Sequence, residues 1–286
     1  MNLSRSLIAP LALTVGSLVA LAGFTWPLLA SAVPSDAQAA TPIVAMALVP
    51  AVIVALALAL DREMHSAKAV ALLGVLAAIG AGIRIAGAGV GGIEAVFILL
   101  ILAGRAYGAR FGFLLGLLTI AVSSLLWGGL GPWTAFQMFG CAWVAAGAAL
   151  LPRIRPRVRT DPATELSAAI ATRAARRAAR LEIVMLAGYG VVAAYVFGLL
   201  MNIWFWPFAV GTGTGISYEP GAPIGTNLAS FALYSLVSST LTWDTVRAVT
   251  TLVGILLLGP AVLAALRRAK LPARRRSGEL HASRSR

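Results

Sequence analysis

The sequence predicts an all-α integral membrane protein, and three observations carry that expectation. Of 286 residues, 59% are hydrophobic and only 12% are charged, with a mean hydropathy of +0.89. A soluble chain of this length has no use for so much apolar surface. Apolar runs recur at about 20 residues, the length that crosses a ~30 Å hydrocarbon layer as a helix. Basic residues gather on alternate connections between those runs.

The runs place eight spans near 7–32, 43–60, 67–86, 93–104, 111–127, 133–151, 182–206 and 244–266. The fourth is too short to cross alone and must borrow from its flanks. An eight-span topology puts 21 of the 23 Lys and Arg residues on one side: Arg5, Arg62, Lys68, Arg105, Arg110, eight arginines in 153–180, and eight basic residues from Arg267 onward. Arg84 and Arg247 alone remain for the other. The positive-inside bias therefore expects both termini in the cytoplasm of a cell-membrane protein. It also reads the net charge of +13 as topology, not as a nucleic-acid surface.

The first span, followed by "ASAVPSDAQAA", has features of a secretory signal, but its apolar region is longer than such signals use, which favours a retained anchor. Residues 1–62 form a two-span extension, residues 63–268 a six-span core, and 269–286 a basic disordered tail. The core is interrupted by an Arg-rich segment, 153–181, where "ATELSAAIATRAARRAARLE" carries Arg173, Arg176, Arg177 and Arg180 at helical spacing. A helix lying on the anionic inner leaflet is one reading of it, and a docking surface for a cytoplasmic partner is the other.

Several chemistries lack their residues. The chain has no P-loop, no H-E-x-x-H, no G-x-S-x-G, one cysteine (Cys141), two histidines and no acid in mid-span. No catalytic set, metal site or cofactor is expected, and ion-driven transport is disfavoured. Six of the seven tryptophans (Trp26, Trp127, Trp133, Trp204, Trp206 and Trp243) fall at the outer ends of spans. They read either as an interfacial belt or as the lining of an outward pocket. The connection 207–243 has no basic residue, is rich in glycine and contains Tyr218, Glu219, Asn227 and Tyr234. It suits a lid, with 227–241 apolar enough to pack as a short capping helix.

Two small-residue ladders stand out. One is on the third span, with Ala67, Ala71 and Val75 on one stripe and Gly74, Ala78 and Gly82 on the adjacent one, and the other is Gly104, Gly108, Gly112 and Gly116. Both allow close helix approach, inside this bundle or against another subunit.

At "AGRAYGARFGFLLG", "GPWTAFQMFG" and "TLTWDTVRAV" the chain resembles the substrate-binding S components of energy-coupling factor (ECF) vitamin transporters, over about 67–268. The resemblance implies a six-helix bundle, here with two extra N-terminal transmembrane helices. It also implies a vitamin-like substrate bound from outside, a transmembrane coupling subunit and two cytoplasmic ABC-type ATPases as partners. In that family small residues spaced A-x-x-x-A on the first core helix meet the coupling subunit. Ala67 and Ala71 match, and Gly74 and Ala78 continue the face. The two-span extension and the Arg-rich segment depart from the family pattern.

Candidate substrate residues are Trp133, Gln137, Asn202, Trp204, Tyr234 and Trp243, which offer flat rings and polar edges. Asp244 and Arg247 sit three apart at the mouth of the last span. They read as a dipole-supported pair or as a rim contact to lid or substrate. A corrinoid suits so many rings. An accessory membrane subunit without a ligand, or a membrane-embedded transferase, is the alternative.

Overall fold

The computed structural model describes residues 3–30, 40–61, 67–87, 93–154 and 165–269. The small-residue stretch after the first span, Arg155–Arg159 and the basic tail lie outside them. Every described element is helical: α1 (Leu3–Phe24), α2 (Trp26–Leu29), α3 (Thr41–Asp61), α4 (Ala67–Gly87), α5 (Val96–Tyr107), α6 (Ala109–Trp127), α7 (Trp133–Leu150), α8 (Glu165–Ala209), α9 (Ile224–Ser235), a π-helical segment (Leu236–Asp244) and α10 (Thr245–Arg268).

Among the described residues five helical stretches are long and apolar enough to cross a membrane: Ala67–Gly87, Ala109–Trp127, Trp133–Leu150, Ala169–Ala209 and Ile224–Arg268. Leu11–Phe24, Thr41–Ala55 and Val96–Tyr107 are shorter apolar helices. The chain is thus a multi-pass, all-α membrane protein. Its exposed surface agrees, carrying Leu257, Leu18, Val54, Val184 and many other large apolar side chains. Water would penalise these residues, whereas lipid does not.

Helix α5 resolves the problem of the short fourth span. At 12 residues it is about 18 Å long, less than the hydrocarbon thickness. It packs against α4, α6, α7, α8 and α10, and Phe97, Leu100, Ile101, Leu102 and Ala103 are wholly buried. Protein, not lipid, surrounds its middle, so the helix need not match the hydrocarbon thickness alone.

The glycine ladder at 104–116 is what lets α5 and α6 approach α7 so closely. A Cβ on Gly104 would fall inside the van der Waals shell of the Ala145 carbonyl oxygen, and one on Gly116 would meet the Ala142 backbone. Gly112 would bring its Cβ within 2.9 Å of Ala145. Gly108 turns the chain between α5 and α6 at φ +98°, a left-handed conformation that side chains disfavour. The other ladder behaves oppositely: Ala67, Ala71, Gly74, Ala78 and Gly82 are exposed, and a Cβ on Gly74 or Gly82 meets nothing. One ladder builds this bundle and the other faces out of it.

Two sequence expectations need correction. The Arg-rich segment does not form a separate helix on the leaflet. Its described helical part, 165–181, is the start of α8, which runs unbroken for 45 residues. No Gly or Pro interrupts 165–187, so nothing ends the helix before the membrane segment begins. Ahead of Glu182, residues 165–182 carry the rod about 25 Å along the helix axis at 1.5 Å per residue. The capping helix in 227–241 is likewise not detached from the last span. α9, the π segment and α10 form one continuous rod, since 226–253 contains neither Gly nor Pro. The N-terminal extension packs against the six-span core. Phe24 is fully buried edge-on to Phe136 at 4.9 Å, Trp143 Nε1 donates to Ser17 Oγ at 2.9 Å, and Trp26 Nε1 donates to the Trp204 carbonyl at 3.1 Å. Removal of the first span as a signal would take the buried Ala20, Phe24 and Trp26 with it.

Two charge clusters bracket the bundle. At the basic end, Glu182 accepts from Arg105 Nε at 2.7 Å and Arg267 Nη2 at 2.8 Å, and Arg105 also donates to the carbonyls of Leu151 and Pro152. This fastens α5, α8, α10 and the end of α7 together. The second cluster lies 16 residues further along α8, about 24 Å away, where Gly198 abuts Asp244.

Candidate binding site at the less basic end of the bundle

Helix termini build the second cluster. Arg84 ends α4, Glu94 precedes α5, Ser123 is near the end of α6, Gln137 is in the second turn of α7, and Asp244 and Arg247 open α10. Glu94 stands just ahead of the α5 N-terminus, where the macrodipole favours a negative charge, whereas Asp244 lies inside the continuous rod and gains no such support, against the dipole reading of the pair.

Arg247 is the hub. Its Nε donates to Glu94 Oε2, and its Nη1 donates to Asp244 Oδ1 at 2.6 Å. The guanidinium carbon sits 5.0 Å from the Phe197 ring centroid and 5.9 Å from that of Phe97. Those two rings meet edge to face at 5.2 Å, so the cation lies over aromatic carbon on one side and carboxylates on the other. Asp244 is 1% exposed, and its carboxylate presses on the Gly198 backbone, where no side chain could fit.

The π segment explains why Asp244 points inward. In an α-helix residues five apart do not face each other, whereas i→i+5 bonding brings them into line. Three such contacts occur: Ser239 Oγ donates to Asp244 Oδ2 at 2.9 Å, Ser235 and Thr240 hydroxyls meet at 3.3 Å, and Thr245 Oγ1 donates to the Thr240 carbonyl at 2.7 Å. The Ser/Thr run 238–242 in this segment is the only sequence signal for it.

Arg84 forms the other half of the cluster. Its Nη1 donates to Ser123 Oγ at 2.9 Å and its Nη2 to Gln137 Oε1 at 2.8 Å. α4 ends here, and α5 and α10 open here, so Arg84, Glu94 and Arg247 share this end of the bundle.

The candidate residues read from sequence divide. Gln137, Asp244 and Arg247 come together in this cluster. Asn202 instead ties α8 to the rod through Nδ2 to Ser235 Oγ at 2.9 Å. Trp204 is buried and stacked on Phe136 at 4.1 Å, and its indole N–H finds no acceptor among the described residues. Trp133 and Trp243 are 44% and 51% exposed, as is Trp127, in keeping with an interfacial belt. Trp26, Trp204 and Trp206 are core. The tryptophans therefore do not line one pocket. Arg84, Glu94 and Ser123, which sequence reasoning did not place in the site, supply half of it. The signal for Arg84 was present: it is one of two basic residues that the charge bias left on this side.

The connection 210–223 is already folded, and its anchor is Trp206. This ring is fully buried, donates to the Ile216 carbonyl at 2.7 Å and contacts Tyr218, Phe231 and Tyr234. Asn227 closes the loop by donating to the Glu219 carbonyl and accepting from the Glu219 N–H. Trp206→Ala is expected to cost about 3–5 kcal/mol through the cavity it leaves. Limited proteolysis within 210–223 checks this: cleavage should accelerate in the variant, and unchanged protection would contradict the anchor.

An apolar groove opens on the flank between α7 and α8, lined by Gly140, Trp143, Tyr189, Val196 and Phe197 among others. Its one hydroxyl, on Tyr189, is spent on the Val144 carbonyl at 2.8 Å. With no free polar group to orient a ligand, it fits an acyl chain better than a polar substrate. Among the described residues no group of three His, Cys, Asp or Glu could hold a metal ion. No protein family, curated protein or solved structure matches the chain.

Proposed function

We propose that the chain is the membrane-embedded substrate-binding subunit of an ECF-type ABC importer. Helices α4 to α8 and α10 form its six-helix core, and α1 and α3 are two added N-terminal spans. The observation that carries this reading is the convergence of Arg84, Glu94, Ser123, Gln137, Asp244 and Arg247, from five core helices, at one end of an otherwise apolar bundle. Ionisable side chains at membrane depth are costly, and their concentration at one level marks a functional site. The basic residues collected at the opposite end support a plasma-membrane orientation with the cluster outside and both termini in the cytoplasm.

The substrate is a vitamin or related micronutrient that enters between the outer helix ends. The division of the tryptophans between core and belt removes the stacking surface that favoured a corrinoid, so a smaller polar compound fits better. Energy comes from a transmembrane coupling subunit and two ABC-type ATPases. The outward small-residue face, Ala67, Ala71, Gly74 and Ala78, is the surface on which the coupling subunit packs.

The test is co-purification from the membranes of the producing cell. A tagged chain should bring down a coupling subunit with ATPases, and Ala71→Leu with Gly74→Leu should lose them at unchanged Tm. Recovery of no ATPase, or equal recovery with the double variant, would sink the proposal.

A further inference from the structure

We propose that the substrate of this site carries an oxyanion, a carboxylate or a phosphate group, and that Arg84 is the residue that receives it. This rests on the reading of the cluster as the substrate site.

The argument begins with how the arginines are matched. Arg105 and Arg267 share the Glu182 carboxylate, and Arg247 holds both Glu94 and Asp244. Arg84 is different. It is half-buried at the end of α4, both its hydrogen-bond acceptors are neutral, and among the described residues no carboxylate lies within ion-pair distance. Arg247 is meanwhile over-supplied, with two carboxylates on one guanidinium. Glu94, Asp244, Arg84 and Arg247 therefore sum to zero, but the charge is polarised: a net-negative half at Arg247 and a positive half at Arg84.

A neutral aggregate tolerates burial, while its positive half remains open to a stronger partner. Ser123 and Gln137 hold the guanidinium in place without spending its charge. A guanidinium has five N–H donors in a planar fork, and only two hydrogen bonds to described groups are accounted for here. The remaining N–H donors suit a carboxylate or phosphate. Gln137 adds an amide N–H2 beside it, since its carbonyl is the atom turned to Arg84. The opposite, net-negative half would accept a cationic or hydrogen-donating part of the same molecule. The site thus selects an acid over its uncharged analogue.

The experiment uses the purified full-length chain in detergent and pairs of compounds that differ in one charge: nicotinate with nicotinamide, biotin with its amide, and pantothenate with pantothenol. A broader set of phosphorylated and unphosphorylated vitamins is added. Ligand-induced rise in Tm is read first, then affinity for any compound that stabilises. The expected result is stabilisation by an acid or phosphate, with its uncharged twin weaker by about tenfold or more, the scale of a charge-assisted hydrogen bond. Arg84→Gln should abolish that discrimination, and Arg84→Lys should retain the preference for the acid at reduced affinity. If Arg84→Gln does not fold, the comparison of twins on the wild-type chain still decides. Tight binding of an uncharged or cationic compound, or acid preference that survives Arg84→Gln, overturns the inference and leaves the binding-subunit reading standing. Stabilisation by no compound at all counts against that reading, and the inference falls with it.

Discussion

Arg247→Ala is expected to unfold the less basic end of the bundle, at a cost of about 3–5 kcal/mol, because it strands two carboxylates beside hydrocarbon. Asp244 cannot escape to water: it is 1% exposed and wedged against Gly198. Glu94 has more freedom, with 29% of its side chain exposed. The first consequence should therefore appear at the π segment, whose Ser239 and Asp244 bond depends on where that carboxylate is held. Arg247→Lys keeps the charge but lacks the fork that reaches both acids, so it should recover only part of the loss. Thermal unfolding of detergent-purified variants measures this. A double variant, Arg247→Met with Asp244→Asn, should be more stable than Arg247→Ala, since it removes one stranded charge. Equal Tm values for wild type and Arg247→Ala would show that the cluster carries no stability.

Gly104→Ala and Gly74→Ala should part company although both sit in small-residue ladders. At Gly104 the new methyl collides with a backbone carbonyl of α7, and backbone cannot rotate aside as a side-chain tip can. α5 is the buried centre of the core, so displacing it from α7 disturbs α6, α8 and α10 together. A loss of about 3 kcal/mol or more is expected, at the upper end for overpacking. At Gly74 the methyl meets open space, and alanine is the better helix former by about 0.5–1 kcal/mol. That variant should be as stable as wild type or slightly more so. Similar Tm changes in the two variants would contradict the assignment of one ladder to this bundle and the other to an outside surface.

What was legible in the sequence was whatever depends on local composition. Apolar run length located the helices, and the basic connections sorted the bundle's two ends. Helix α5 could be recognised as short, but not as the wrapped centre of the core, because that follows from which neighbours cover it. The joined rods α8 and α9–α10 were missed for an instructive reason. Hydropathy changes at Glu182 and near Asp244 look like boundaries, yet a change of polarity does not itself stop a helix, and no Gly or Pro stands at either point to favour a stop. The site was half legible. Gln137, Asp244 and Arg247 could be picked out as polar residues near outer helix ends. Glu94 and Ser123 could not be joined to them, since their partners are 153 and 39 residues away in the chain. The tryptophans misled because exposure, not sequence position, separates a belt residue from a core one. Trp206 is fully buried and Trp243 is 51% exposed.

The claim that the polar cluster binds a small molecule is tested most directly by native mass spectrometry of the purified chain beside Gln137→Ala. Gln137 contacts only Arg84 within the cluster and is not part of the Arg247 ion pairs, so its truncation should leave the fold's charge network intact. The account predicts a bound small molecule on the wild-type chain that is absent from Gln137→Ala, with little change in ligand-free Tm. A molecule retained equally by the variant, or found instead in the apolar groove between α7 and α8, would contradict it.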